Sequence, residues 1–380
     1  MEQQRSVLLG VPIDNLDMDQ ALEKIFSMVK AYQSDYKTRL VATANVDFMV
    51  NAHDTKNSES ANNLLSILRK ADMVTADGMP LVWLSQLLGE PLKERVTGAD
   101  MVPALAEKAA REGKSVYFFG GANGSAKQTA KIFKNLYPEL KIAGFSAPMI
   151  DMDDEIENMV EIARINITEP DILLIALGNP KQEFWHDRYK KYMKVPVSIG
   201  IGGTFEFISG ITSRAPEWMQ RTGLEWIFRM AQDPKRLINR YAKGLLKFNR
   251  MVVPLVFVNA IAKSLAPKQL NSGTAMKLKS NSADDTELAR HLTQVQGMET
   301  SITHSESGQI INLDFKNVIA MTTTDISNFM SLLLLASKEN MRINAYNLRL
   351  LPKMMMRVYK IQDLLHPGST FFNNSEAYSA

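Results

Sequence analysis

Asp77, in Thr75-Ala76-Asp77-Gly78-Met79-Pro80, is well placed by its neighbours to move a proton. It ends an apolar run, between Ala76 and Gly78, so its carboxylate could project into a cleft and act as general base toward an attacking hydroxyl. The same D-G-M-P context also suits an Asx turn or a helix N-cap, and the residue types leave both open. Thr43-Ala44-Asn45-Val46-Asp47 ends a second apolar run, Leu40 to Ala42. Short, well-held polar groups at two such termini suit the recognition of hydroxyls. Arg95, in the polar loop from Glu94 to Asp100, could pair with a diphosphate or simply be solvated.

Between Asp171 and Gly210, two apolar runs end in glycine-bearing loops. Ile172 to Leu177 breaks at Gly178-Asn179-Pro180 and presents Lys181, Gln182 and Glu183; Val195 to Ile201 breaks at Gly202-Gly203-Thr204 and leads into Phe205-Glu206-Phe207. In doubly wound sheets ligands bind at the carboxyl ends of strands, so two such loops suggest one pocket. A third turn, Gly120-Gly121-Ala122-Asn123-Gly124, opens a helix near Ser125. It suits a phosphate at a helix N-terminus, or is a tight turn with no ligand. Its spacing is not G-x-G-x-x-G, and the next strand ends in Phe145-Ser146-Ala147-Pro148, without the acidic residue that holds a ribose. A nicotinamide cofactor is therefore disfavoured.

Asp151-Met152-Asp153-Asp154 has the D-x-D spacing of some metal sites, but it precedes a helical pattern, where acidic residues favour the N-terminus. The five histidines show no H-E-x-x-H spacing, and His186 reads as a helix-surface or cleft-wall residue. No metal and no cofactor is expected. The absence of cysteine excludes disulfides, thiolate metal sites and cysteine nucleophiles, and fits a reducing compartment. A net charge of +3 in 380 residues argues against a nucleic-acid partner. No signal peptide is read at the N-terminus. The longest strongly apolar run, Met251 to Ala262, falls short of the roughly twenty residues that a spanning helix needs.

Something must carry these loops, and the pattern from Val7 to Val258 supplies it: short apolar runs alternate with longer helical ones. Strands are expected at Ser6–Leu9, Arg39–Thr43, Met73–Thr75, Ser115–Phe119, Lys141–Phe145, Ile172–Ala176 and Val197–Ile201. Helices are expected at Met18–Tyr32, Ser60–Lys70, Gly98–Glu112, Ser125–Tyr137, Glu155–Asn166 and Gln182–Lys191. This predicts an α/β fold, Rossmann-like, with a mostly parallel sheet and flanking helices. Residues 1–210 form that domain. Residues 211–262 are a basic helical appendage in which Arg214, Arg221, Arg229, Lys235, Arg236, Arg240, Lys243, Lys247 and Arg250 are interleaved with Trp218, Trp226, Phe228, Leu245 and Leu246. A basic amphipathic region of this kind suits an anionic membrane surface, although a helical pair packed on the sheet would read alike. Residues 263–287 read as a linker and 371–380 as a polar tail. Between them, residues 288–370 form a small second α/β domain with strands at Gln309–Phe315 and Arg342–Ala345 and helices at Asp325–Lys338 and Pro352–Tyr359.

T-A-N-V-D, T-A-D-G-M-P, the loop around Arg95, F-F-G-G at Phe118 to Gly121, G-N-P-K-Q-E at Gly178 to Glu183 and G-I-G-G-T-F-E-F at Gly200 to Phe207 together resemble the WecG/TagA/CpsF glycosyltransferases, family 26. Arg214-Ala215-Pro216 and Gly223-Leu224-Glu225-Trp226 extend the resemblance, which spans residues 5 to 250. It implies an inverting, metal-independent transfer of N-acetylmannosamine, its uronic acid or a related hexose from a UDP-sugar to a polyprenyl-diphosphate-linked acceptor. The setting is polysaccharide biosynthesis, such as exopolysaccharide on undecaprenyl diphosphate, at the cytoplasmic face of the membrane. Asp77 becomes the catalytic base, with Thr43, Asn45, Arg95 and Gln182 lining the reaction centre. UDP would lie over Gly120, Gly121, Asn123, Gly124, Gly202, Gly203 and Glu206. Arg214, Arg221 and Arg229 would meet the acceptor diphosphate. Glu206 departs from the family's more frequent Asp.

Ile310 to Phe315, Val318 to Met321 and Thr322 to Ile326 resemble a STAS domain, with Thr322 at that family's aspartate position and Thr323 at its phosphorylatable serine. A regulatory module with a protein partner follows. The competing reading is a non-catalytic regulator that senses a nucleotide sugar and signals through this module. A homo-oligomer is compatible with either.

Overall fold

In the computed structural model, residues 5–122, 124–265, 298–305, 308–338 and 341–364 are described. They fall into two compact units, one of residues 13–83 and 92–248, the other of 5–12, 84–91 and 249 onward. Two short strands, β1 (Arg5–Leu8) and β2 (Val11–Asp14), pair at the start of the chain.

The first unit is organised by β3 (Arg39–Ala44), β4 (Met73–Ala76), β5 (Ser115–Gly120), β6 (Lys141–Ser146), β7 (Ile172–Ala176) and β8 (Val197–Gly200). They form one sheet in the order β4-β3-β8-β7-β5-β6, every neighbouring pair parallel. This is the α/β sheet that the alternating pattern predicts. All five residues of β7 are buried, as a strand covered on both faces requires. Phe118, Phe133 and Phe205 pack on one face, and Tyr117, Phe119, Trp185 and Tyr189 on the other. Phe119 meets Trp185 with ring centroids 4.6 Å apart.

Helices α1 (Met18–Asp35), α3 (Ser58–Lys70), α5 (Gly98–Arg111), α6 (Ser125–Leu136), α7 (Glu155–Ile167) and α8 (Lys181–Tyr189) match the helical patterns to within a few residues. Two further helices, α2 (Val46–Ala52) and α4 (Met79–Leu88), were not legible. Each begins directly beyond a polar strand terminus that reads as a loop, and α4 is apolar almost all round, which hides helical periodicity. After β8 come α9 (Thr204–Ile208), α10 (Glu217–Arg221), α11 (Glu225–Gln232) and the 32-residue α12 (Pro234–Leu265). Its segment Leu237–Leu265 is long and apolar enough to cross a bilayer by length and composition alone, more than the apolar run Met251–Ala262 suggests. Leu255, Val258, Asn259 and Ala262 on it are nonetheless buried in protein.

In the second unit β9 (Glu299–Ser305) and β10 (Gly308–Asp314) are antiparallel, and β10 and β11 (Arg342–Tyr346) parallel. Helices α13 (Thr323–Lys338) and α14 (Leu350–Val358) complete it. Strand β9 escaped the sequence pattern because its Glu, Thr, Ser and His residues show no run or alternation of apolar side chains. Of the expected linker, residues 263–265 finish α12; the remainder, and the tail 371–380, lie outside the described residues.

Asn259 joins three elements of this unit. Its Nδ2 donates to the Leu88 carbonyl at 3.1 Å and its Oδ1 accepts from the Thr323 N–H at 3.1 Å, serving one helix end each. Thr323 is fully buried. One turn on, Ser327 accepts from the Val7 N–H at 3.3 Å and donates to Glu90 at 2.8 Å. Asn259→Leu is expected to destabilise this unit by about 1–3 kcal/mol for each backbone group left unpaired. Urea unfolding followed on the full chain checks it; an unchanged midpoint would contradict the bridging role.

Candidate functional site

Five of the six strands in this sheet end on Ala44, Ala76, Gly120, Ala176 and Gly200, small residues that leave room above it. A Cβ on Gly200 would lie 2.6 Å from the Gln182 amide, and one on Gly120 would lie 2.7 Å from the Ala176 carbonyl. Above this floor opens a cleft of about 890 Å³. Thr43, Asn45, Asp77, Arg95, Gln182, Gly202, Gly203, Glu206, Arg214 and Arg229 all line it.

Asp77 continues the sheet past β4, its N–H donating to the Ala44 carbonyl at 2.7 Å. Burial pushes its carboxyl up to about 6; Arg229, the Gly98 N–H and Arg95 pull against that rise, while Glu225 adds to it. The group is thus ionised at neutral pH and more basic than an ordinary aspartate. Gly98 starts α5 against the end of β8, where a Cβ would meet the Thr204 hydroxyl at 3.2 Å. Arg95 is held by its loop: the Val96 N–H donates to the Ala76 carbonyl at 2.9 Å, Lys93 N–H to Asn15 at 2.8 Å, and Met18 N–H to Glu94 at 2.7 Å.

Several residues expected at a ligand are also fasteners of the loops. Thr43 Oγ1 donates to the Gly200 carbonyl at 2.8 Å, and Asn45 Oδ1 caps α2, accepting from the Asp47 and Phe48 N–H groups. Gln182 Oε1 accepts from the Gly202 N–H at 3.1 Å. Glu206 Oε1 accepts from the Ala122 N–H at 2.8 Å and from Ser125 Oγ at 3.3 Å, tying the α9 turn to the Gly120–Gly124 turn, while its buried Oε2 has no protein partner. Of that glycine turn, Gly121 and Ala122 face the cleft, Gly120 lies beneath them, and Gly124 borders a shallower surface pocket beside Phe145 and Arg164. Asn123 lies outside the described residues.

The arginines divide. Arg221 stands outside the cleft, exposed and paired with Glu217 at 2.6 Å. Arg214 and Arg229 line it and join a ladder of alternating charge through Arg95. Arg214 meets Asp100 at 2.6 Å, Asp100 meets Arg95 at 3.4 Å, Arg95 meets Glu225 at 3.6 Å, and Glu225 meets Arg229 at 2.9 Å. Burial alone would raise the Asp100 carboxyl, but Arg214, Thr97 and Arg95 together hold it below its ordinary value. Nε and Nη2 of Arg214 and Nε of Arg229 are buried with no hydrogen-bond partner, and the Arg229 guanidinium lies 4.5 Å from the Phe207 ring centroid. Unspent guanidinium donors suit an anion with several oxygens.

Glu225, Asp100 and Asn179 are what sequence reasoning missed. Glu225 stands in a motif of the family resemblance, but no role is read for it there. Asn179 lines the cleft, accepts from Asn51 at 2.8 Å and donates to Glu183 at 2.9 Å. Glu183 is wholly buried, which pushes its carboxyl up to about 7. His186, expected on a helix surface or cleft wall, is instead buried in α8, where desolvation lowers it to about 4 and keeps it neutral. Asp154 caps α7, accepting from the Glu157 N–H at 3.0 Å, as the helix-terminus reading anticipates.

The strain on Asp77 has a measurable sign. Because its carboxyl rises from 3.8 to about 6, the ionised form is disfavoured in the fold. That cost is absent below about pH 4, grows as pH rises toward 6, and is fully present above it. Asp77→Asn should therefore stabilise the protein at pH 8 by about 1–3 kcal/mol and leave it unchanged at pH 4. Thermal or urea unfolding at both values checks this; equal effects at the two would contradict it.

Comparison with known proteins gives the same outline. Residues 6–259 match the model of the glycosyl transferase WecG/TagA/CpsF family. Over 247 residues the chain is 32% identical to an N-acetylglucosaminyldiphosphoundecaprenol N-acetyl-beta-D-mannosaminyltransferase of Bacillus spizizenii, covering 63% of this chain and 91% of that protein. A Bacillus subtilis protein of the same name is 33% identical over 186 residues, covering 48% of this chain and 71% of that one. One from Staphylococcus aureus is 28% identical over 232 residues, covering 60% and 85% respectively.

Proposed function

The chain belongs to the WecG/TagA/CpsF glycosyltransferase family, and from that premise we propose that it moves N-acetylmannosamine, its uronic acid or a related hexose from a UDP donor to a polyprenyl-diphosphate-linked acceptor. The observation that carries this is the pairing, in one cleft, of a carboxylate of raised basicity with buried arginine donors that no protein group uses. The relatives' names, which specify a lipid-linked acceptor and a mannosaminyl group, support it.

In this reading Asp77 accepts the proton of the acceptor hydroxyl as that oxygen bonds to the anomeric carbon from the face opposite the leaving group. UDP departs with the electrons of the broken C–O bond, and the configuration inverts. Arg95, Arg214 and Arg229 stabilise diphosphate charge without reorganising, since the ladder already orients them. Glu206 Oε2 and the Gly202–Gly203 loop serve the nucleotide, and Gln182 and Thr43 hold the floor beneath the sugar. No metal is needed in this scheme.

A lipid-linked acceptor calls for an enzyme at a membrane, and we read this one as working at the cytoplasmic face. Exposed Trp218, Ile227, Leu245 and Leu246, with exposed Lys235, Lys243 and Arg250, support that location. In this reading residues 288–370 are a STAS-like module for a protein partner; the antiparallel β9–β10 pair and the parallel β10–β11 pair suit it. Burial of Thr323 favours partner binding over phosphorylation at that hydroxyl.

A screen of UDP-sugars, read by mass spectrometry of the lipid-linked product, identifies the donor. Asp77→Asn is expected to lower transfer by roughly 10²–10⁴-fold while UDP binding stays within a few-fold. Retained turnover would sink the assignment of Asp77 as base. For the membrane contact, Lys235→Gln, Lys243→Gln and Arg250→Gln combined should weaken flotation with anionic vesicles by about 1 kcal/mol per residue removed. Unchanged flotation would defeat it.

A further inference from the structure

Glu225 opens α11, lines the cleft and meets two arginines. Its Oε2 lies 3.6 Å from Arg95, on the loop before α5, and its Oε1 lies 2.9 Å from Arg229, one turn along α11. Its side chain is 17% exposed and that of Arg95 16%, so this contact is largely withdrawn from solvent, while Arg229 at 37% is only partly so. Two oxygens bridging two guanidinium groups is the arrangement that neighbouring phosphate oxygens of a diphosphate would also satisfy. Glu225 therefore occupies, from within the protein, the position of an anion.

We propose that Glu225 is a positioning residue of the transfer reaction: it holds Arg95 and Arg229 paired beside Asp77 until the diphosphate of a ligand takes its place between them. The inference rests on the glycosyltransferase reading, and adds to it an account of why binding is not excessive. Without Glu225, Arg95 would keep only Asp100 and Arg229 would lose its ion-pair partner. With it they are aligned in advance, and a diphosphate gains only the difference between its own charge and the one it displaces.

The same charge acts on the base. The groups that face Asp77 are Arg95 from the loop before α5, Arg214 from the segment after α9, and Glu225 and Arg229 from α11; Asp100 on α5 stands behind Arg95 and Arg214. Among these Glu225 is the negative neighbour that raises the Asp77 carboxyl. Removing its charge should do two things at once, both of one sign. Anions should bind more tightly, and Asp77 should become a weaker base.

The test is Glu225→Gln, nearly isosteric and uncharged, in the full chain. Two arms distinguish the source of the diphosphate: UDP and a short-chain prenyl diphosphate are each titrated by calorimetry. At least one is expected to bind roughly five- to tenfold more tightly than to the wild type. The acid limb of the kcat–pH profile should move down by roughly 0.5–1 unit, with a lower plateau. A purely structural contact would weaken binding and leave the limb in place, and either result overturns the proposal. Glu225→Asp keeps the charge and should keep the wild-type limb; a limb displaced as in Glu225→Gln would also overturn it. If the wild type neither binds UDP nor transfers any sugar, the glycosyltransferase reading fails. If the wild type is active and Glu225→Gln matches it in both respects, the inference about Glu225 fails alone.

Discussion

A carboxylate drawn partly out of water is costly unless neighbouring charge and hydrogen bonds compensate it, and Asp77, half-buried in the cleft wall, has no salt-bridge partner of its own among the described residues. The rest of the cleft is arranged around that cost. Arg229, Arg95 and the Gly98 N–H ease it, but Glu225 and burial keep the carboxyl at about 6. Full neutralisation would give a stable, weakly basic aspartate. Incomplete neutralisation gives a base, at the expense of stability, and this is a common way for a site to conflict with its fold.

Such a carboxylate must be held where it stands, and the parallel sheet does this. The Asp77 N–H is fastened to β3 through Ala44, and the next strands present their own loops at the same edge. Those loops are locked by side chains reaching between them: Thr43 to Gly200, Gln182 to Gly202, Glu206 to Ala122. Each is a polar residue holding a backbone group of a neighbouring loop. Under the proposed mechanism they therefore act on the substrate partly by fixing the backbone that surrounds it, and Glu206 shows why a side chain longer than Asp fits. One oxygen reaches the glycine turn and the other stands buried without a hydrogen-bond partner.

How much of this was legible depends on the range of the interaction. Strand β7 was read to the residue because Ile172–Ala176 is a short apolar run bounded by polar punctuation, a purely local signal. Asp77, Thr43, Asn45, Arg95 and Gln182 were legible as strand-terminal or loop residues, and the fold brings all five to one cleft. Helix α4 and strand β9 were not, the one because it is apolar all round, the other because its pairing with β10 supplies what its composition lacks. The charge ladder was least visible. Nothing in the spacing of Arg95, Asp100, Arg214, Glu225 and Arg229 announces that they alternate in space, since that order arises only when α11 and the loop before α5 approach. Arg221 shows the converse, a basic residue of the same segment that the helix turns outward to Glu217.

The second unit obeys the same accounting of polar groups with a different outcome. Here too a carboxyl, that of Glu90, is raised by burial, but Ser327, Thr324 and the Val7 N–H all donate to it. Asn259 likewise spends its amide on two helix ends, and Thr323 lies covered where it starts α13. Buried polar groups satisfied by their own chain make a rigid junction; those left partly unsatisfied make a binding site. By that criterion the cleft lined by Asp77, with the unspent Arg214 and Arg229 donors, is a candidate binding site. The polar cluster around Asn259 fixes structure, and a partner of the second unit would engage a surface other than the start of α13.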